Sequence, residues 1–168
     1  MLPPELEAKF PKLRADGAKK TSDPDSQYNC IAWSAKRDKK HWWQPVKEEP
    51  WDYWPPDCPD DEQDFQTFVA LFEKMGFKKC VGAQFEFFYK RVALFSTPGW
   101  GFSHVCDQLN SGAWTSKLAK DEDIQHNSLE CLEGSLTNEY GEVKQILKKP
   151  CTPWDILARA FFKIVRLL

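Results

Sequence analysis

The chain has 168 residues and a formal net charge of −2, a length suited to one domain with a single hydrophobic core. Acidic and basic residues are interleaved, so the chain lacks the basic face that holds nucleic acid. No apolar stretch reaches the roughly 20 residues that cross a bilayer.

The start, Met1-Leu2-Pro3-Pro4-Glu5, has neither the basic nor the apolar region of a secretory signal. The six cysteines, at 30, 58, 80, 106, 131 and 151, are widely spread without a C-x-x-C pair. Both observations predict free thiols in a reducing, cytoplasmic setting, with export by a non-classical route as the alternative. No metal site is expected, because paired ligand spacing is missing, and no cofactor is implied.

In chain order, residues 1–24 are rich in Pro, Lys and Asp and read as an irregular arm. A helix is expected from about Ser26 to Arg37, opened by Asp25 or Ser26 as the cap. Cys30 then lies near its first turn, where the helix dipole favours a thiolate. Residues 41–59 contain Pro45, Pro50, Pro55, Pro56 and Pro59 among Trp42, Trp43, Trp51, Tyr53 and Trp54. Proline excludes regular helix or central strand there, so rings must hold the segment. It either lines a binding groove beside Cys30 or forms a satellite hydrophobic cluster.

A second helix is expected over Asp61–Met75, with Phe65, Phe68, Val69, Phe72 and Met75 on one stripe and Gly76 as the stop. Short aromatic and β-branched runs follow at Lys78–Val81, Phe85–Tyr89, Arg91–Phe95, Gly101–Gln108, Ala113–Leu118 and Glu142–Leu147. Asn110-Ser111-Gly112 reads as a tight hairpin joining the strand of His104 to that of Ser116. A last helix, Thr152–Leu168, opens on a capping-box-like Thr152/Asp155 pair and Pro153. Leu157, Ala160, Phe161, Ile164, Val165 and Leu168 form one face of it, and Arg159 falls on another. The expected fold is therefore α+β: N-terminal helices on an antiparallel sheet, forming one domain over 1–150, with an amphipathic helix over 151–168. That helix either covers its own domain or meets a partner, a second copy or a membrane surface.

A cysteine hydrolase needs a thiol, an imidazole base, a polar group to orient the imidazole, and N–H donors for the oxyanion. Cys30 offers the thiol, and its own N–H offers one donor. His104 is the best placed base, on a strand whose hairpin partner carries Ser116. A serine hydroxyl can accept from imidazole, which a charged lysine cannot. Asp123 and His126 are further candidates if the Lys117–His126 segment, read as a loop, folds back. Gln27, upstream of the thiol, and Asn29, beside it, complete the supporting set. His41 is expected to pack within the Trp-rich loop, and the other five cysteines are taken as structural.

A helix-borne cysteine, then a strand histidine, then a polar residue one hairpin later resembles the circularly permuted papain-like amidases, including NlpC-type peptidases and CHAP amidases. The segment His104-Val105 through Gly112-Ala113-Trp114-Thr115-Ser116 is similar to their His-Val-x6-Gly-x-aromatic-x-His pattern. Ser116 takes the third polar position, and Asn29 stands where NlpC-type enzymes commonly carry Asp. The chain also resembles a group of bacterial proteins sharing three blocks: Asn29–Trp33, Trp42–Pro45 with Tyr53–Pro55, and His104…Trp114–Leu118…Asp123–His126. That second resemblance spans roughly 26–148 and implies no activity of its own.

The first resemblance implies a permuted papain-like fold and hydrolysis or transfer at an amide bond. Cys30 would be the nucleophile, His104 the base and Ser116 the orienting group. The substrate would be a peptide, a peptidoglycan stem or a protein glutamine. The alternative is a non-catalytic binding module that keeps the fold and uses the Trp/Pro loop and the C-terminal helix as contact surfaces.

Overall fold

A computed structural model describes residues 2–36, 40–43, 53–59, 64–99, 101–134 and 139–165. The elements are α1 (Pro4–Lys9), α2 (Leu13–Asp16), β1 (Lys19–Lys20), α3 (Cys30–Ser34), α4 (Phe65–Lys74), β2 (Lys78–Cys80), β3 (Tyr89–Thr97), β4 (Gly101–Gln108), β5 (Trp114–Lys117), β6 (Asp123–His126), β7 (Glu142–Pro150) and α5 (Pro153–Val165). The strands form one antiparallel sheet in the order β1-β6-β5-β4-β3-β7-β2. The expected α+β class is what the chain adopts.

Side-chain alternation along a strand sends neighbours to opposite faces, and β3 shows the result. Val92 and Leu94 join α3, α4 and Trp42 in one core, while Ala93 and Phe95 join the N-terminal residues Leu2, Leu6, Phe10 and Leu13 in the other. The sheet is thus covered on both faces. Residues 1–24 are therefore not an irregular arm: α1, α2 and β1 lie within them, with Phe10 and Leu13 fully buried. The spacing Leu2, Leu6, Phe10, Leu13 is a helical stripe, broken by Pro11 into two pieces too short to stand without tertiary burial.

The first expected helix is shorter than Ser26–Arg37. Asn29, not Asp25 or Ser26, is the N-cap, with an extended backbone and its side chain accepting from the Ala32 amide at 3.1 Å. Asp25 instead closes a local turn on the Gln27 amide at 2.8 Å. The chain leaves α3 through Lys36 in the left-handed region, and Arg37 lies outside the described residues. The second helix begins at Phe65 with Asp64 as cap, and Asp61–Gln63 lie outside the described residues.

Phe85–Tyr89 is not a strand. The β3 ladder starts at Tyr89, and the preceding carbonyls of Glu86 and Phe87 turn to the side chain of Arg159 at 2.8 and 2.7 Å. Arg159 is buried among these carbonyls, that of Tyr89 and the Asn110 amide oxygen, so a polar residue anchors α5 to the domain. Leu157, on the expected apolar face, is exposed. Thr152 and Asp155 form the reciprocal capping pair that the sequence suggests, and residues 166–168 lie outside the described residues. Among the described residues no helix is long and apolar enough to cross a membrane.

The Trp-rich segment is tied at both described ends. Trp42 bridges to Tyr53, and Trp43 and Trp54 pack their rings on Phe68 of α4. Residues 44–52, including Trp51, lie outside the described residues.

Candidate active site

The hairpin through Asn110-Ser111-Gly112 sets β4 beside β5. Gly112 holds a left-handed φ of 89°, and Leu109 N–H closes the turn on the Ala113 carbonyl at 2.7 Å. The strands pair at Asp107↔Thr115 and Gln108↔Trp114, with no further pair among the described residues. Beyond that point they diverge, and α3 packs against both. Trp33 secures α3 there, donating from its indole to Thr115 Oγ1 at 3.3 Å.

Cys30 is the first residue of α3, and the backbone amides of Val105, Ile31 and Cys30 itself approach its sulfur. Those amides favour a thiolate, yet burial outweighs them and pushes the thiol up to about 11. Burial, which the sequence does not show, thus works against the thiolate that the helix start and its amides favour.

His104 is buried, with its Nε2 3.1 Å from Ser116 Oγ, as the hairpin reading expects. Its Nδ1 is also buried and has no hydrogen-bond partner among the described residues. Tyr140 stacks flat on the ring at a centroid distance of 4.0 Å, and Phe95 meets it edge-on. Tyr140 reaches that place because Gly141, at φ 76°, lets the chain pass against the Ser96 carbonyl, where a Cβ would collide. Burial, and then His126, hold His104 well below the usual imidazole range.

His126 is not a surface residue. It sits on β6, whose pairing Trp114↔His126 and Ser116↔Ile124 sets it beside Ser116. Its Nε2 lies 2.9 Å from Ser116 Oγ and its Nδ1 lies 2.7 Å from the Ser128 carbonyl. The segment Lys117–His126 is accordingly a turn followed by a strand, not a loop. Burial lowers His126 as well, opposed by the Ser128 carbonyl.

Asp123 does not reach His104. It accepts from the Tyr28 hydroxyl at 2.8 Å and faces Lys117 Nζ at 3.7 Å, both charges being buried. Gln27 is exposed and is not brought to the thiol. Asn29 is a neighbour of the site with a double task. Its oxygen caps α3, and its Nδ2 donates to the Trp42 carbonyl at 2.6 Å, tying the Trp segment to the cysteine helix. An aspartate would keep the cap and lose that donor, a physical reason for Asn at this position.

A cavity of about 480 Å³ is lined by Ser26, Tyr28, Asn29, Cys30, His41 and Trp43 on one side. Ser103, His104, Ala119, Lys120 and Tyr140 complete it, so Cys30 and His104 share one space. His41 lines the cavity as well as belonging to the Trp segment. Sequence reasoning misses Tyr140, Tyr28 and Lys120. No local pattern marks them: Tyr28 precedes α3, Lys120 lies in the turn between β5 and β6, and Tyr140 lies just before β7.

Asn29→Ala removes the helix cap and orphans the buried Trp42 carbonyl. It should cost about 2–4 kcal/mol, read as a lower urea midpoint, with Asn29→Asp losing less. Acid should also weaken the domain. His104 and His126 are buried neutral, so their stabilisation is complete above the unfolded-state value of about 6.5 and is lost as pH falls toward their depressed folded values. Stability should decline below pH ~6.5 by up to about 1.4 kcal/mol per pH unit for each imidazole. Urea titrations at pH 7.5, 6 and 5 measure this, and His126→Gln should flatten the decline.

The chain belongs to the family described as Domain of unknown function (DUF7689), whose model matches residues 19–148. The match runs from β1 into β7 and so contains Cys30, His104, Ser116 and His126. No curated protein and no solved structure matches the chain.

Proposed function

We propose that this protein is a papain-like cysteine hydrolase or acyl transferase acting on an amide bond. The observation that carries the reading is the shared cavity, in which His104 binds Ser116 through Nε2 and keeps a buried, unpartnered Nδ1 while Cys30 lines the same space. A base needs one ring nitrogen free and the other held. In the first step the Cys30 sulfur attacks the carbonyl carbon as its proton passes to His104 Nδ1. The carbonyl electrons become an oxyanion, stabilised by the Cys30 amide. The tetrahedral adduct then expels the amine, which takes the proton from Nδ1 and leaves a thioester on Cys30. Water, or an acceptor amine in the transferase case, then attacks the thioester with His104 again as base. The C–S bond breaks to release the acyl product, and the Cys30 sulfur recovers its proton from Nδ1. The substrate class is a peptide, a peptidoglycan stem or a protein glutamine, and the six cysteines, all free thiols, suit a reducing cytoplasm.

Labelling with a thiol-directed electrophilic probe tests this. Wild type should be labelled at Cys30, and Cys30→Ala should lose that label. Label spread evenly over the remaining cysteines in both proteins argues for the second reading, a non-catalytic interaction module. That reading is favoured by the burial of Cys30 and by the exposed Phe88, Trp154 and Leu157.

A further inference from the structure

We infer that the Ser128 carbonyl, acting through His126 and Ser116, fixes the tautomer of His104 so that Nδ1 carries a lone pair. The inference rests on the Cys30–His104 reading for its use, though not for its geometry. His126 is a positioning residue in this scheme.

A carbonyl oxygen can only accept. The Ser128 carbonyl lies 2.7 Å from His126 Nδ1, so that nitrogen must carry the hydrogen. A neutral imidazole has one N–H, which leaves His126 Nε2 as an acceptor. The Ser116 hydroxyl, 2.9 Å away, therefore donates to it. With its single hydrogen committed, Ser116 Oγ can only accept from His104 Nε2 at 3.1 Å. His104 is then the Nε2–H tautomer, and its Nδ1 is the nitrogen able to take the Cys30 proton.

The neighbouring groups agree with this direction. Cys131 donates its S–H to the same Ser128 carbonyl at 3.1 Å, and its sulfur, 3.4 Å from His126 Nδ1, can accept a share of that N–H. Cys106 lies within hydrogen-bond reach of Ser116, but its S–H has the Ala93 carbonyl as acceptor at 3.8 Å. Its thiol sulfur is a weaker acceptor for the Ser116 hydrogen than the His126 imidazole. The Ser128 carbonyl is itself held in place. Asp16 accepts from the Ser128 amide at 2.9 Å, the Ser128 hydroxyl at 2.5 Å and the Asn127 amide at 2.7 Å. The N-terminal segment thus reaches the base through four linked residues, Asp16, Ser128, His126 and Ser116.

The consequence is chemical. Imidazoles of this kind interconvert between two tautomers, and the form with Nδ1–H has no lone pair for the thiol. Ser116 alone does not choose, since a hydroxyl both donates and accepts. His126, oriented by a carbonyl, chooses for it. This also explains how a serine serves in a place where a stronger orienting group is usual.

The test is ¹⁵N NMR of the full chain labelled on histidine, with resonances assigned by single His→Gln variants and tautomers read from long-range ¹H–¹⁵N correlations. His104 should be the Nε2–H form and His126 the Nδ1–H form. His126→Ala, which leaves the Ser116 hydroxyl without its acceptor, should mix the His104 tautomers and slow iodoacetamide alkylation of Cys30 at least about tenfold. His126→Gln, whose carbonyl oxygen can accept from Ser116, should restore the Nε2–H form. Ser116→Ala should mix the His104 tautomers and slow alkylation at least about tenfold. Nδ1–H on His104 in the wild type overturns the inference. Nε2–H there, with alkylation indifferent to His104→Ala, sustains the tautomer assignment and overturns the dyad instead.

Discussion

Replacing His104 should slow acylation of Cys30 by about 10²–10⁴-fold, the range that a positioned general base supplies. The reason lies in the thiol. Burial holds Cys30 up to about 11, so at pH 7 only a small fraction of molecules carries a thiolate. Without a base, attack depends on that fraction. With His104 present, the proton leaves as the C–S bond forms, and no standing thiolate is needed. His104→Ala opens a void in a packed site, so His104→Gln is the companion variant: it retains a donor for Ser116 and cannot act as an imidazole base. Both should give the same loss in a stopped-flow assay with a chromogenic acyl ester, with circular dichroism reporting the fold. Rates within about twofold of wild type would remove His104 from the chemistry.

Asp123→Ala should destabilise the domain by about 3–5 kcal/mol, the usual result of leaving one member of a buried ion pair alone. Lys117 Nζ would remain fully buried with the Asp121 carbonyl and the Tyr28 ring as its other contacts. The Tyr28 hydroxyl would lose its acceptor in the same step. Asp123→Asn keeps an acceptor for Tyr28 and removes the charge, separating the two contributions. Joint replacement of Lys117 by Met and Asp123 by Leu should recover much of the loss, because two well-packed apolar groups replace a desolvated pair. Urea unfolding measures all three. A midpoint for Asp123→Ala equal to that of wild type would show that the pair carries no weight. Tyr28 lines the cavity, so this variant also links stability to the site.

The parts of the site legible in the sequence are those set by short-range rules. Gly112 and its neighbours specify a hairpin, which brings β4 and β5 side by side and so puts His104 and Ser116 within reach, while their actual contact is diagonal to the register and depends on how the strands part. The α4 stripe and the Thr152/Asp155 cap are readable for the same reason. The remaining features are decided by tertiary burial. The helices α1 and α2 are too short to announce themselves, and they form because Leu6, Phe10 and Leu13 find a sheet face. Asp25 and Ser26 are good caps by type and so suggest a longer Cys30 helix, whereas Asn29 is better placed to serve α3 and the Trp42 carbonyl together. A helix start that favours the thiolate is visible in sequence, and the desolvation that overrides it is not. His126 is half visible: its block stands out, but its contact with Ser116 depends on β6 pairing with β5. Tyr140 has no signal at all, since its place over His104 comes from the passage of Gly141 against β3.

The family model covers the sheet and α3, leaving α1, α2 and α5 outside its match. Each of those outer elements nevertheless makes polar contacts with the domain, Lys9 of α1 pairing with Asp121. Asp16, at the end of α2, holds the Asn127–Ser128 turn, and Arg159 of α5 fills a cage of carbonyls. The Asp16 contacts lead directly to the candidate base, and those of Arg159 do not.

Acyl trapping decides whether Cys30 is a nucleophile. The protein is mixed with p-nitrophenyl acetate at pH 7, quenched in acid at successive times, and mapped by peptide mass spectrometry. A Cys30 served by His104 should gain an acetyl group within the burst of p-nitrophenol and then lose it while acetyl groups on other cysteines persist. Acetylation that spares Cys30, or that reaches it no faster than it reaches Cys58 or Cys80, would rule the nucleophile out.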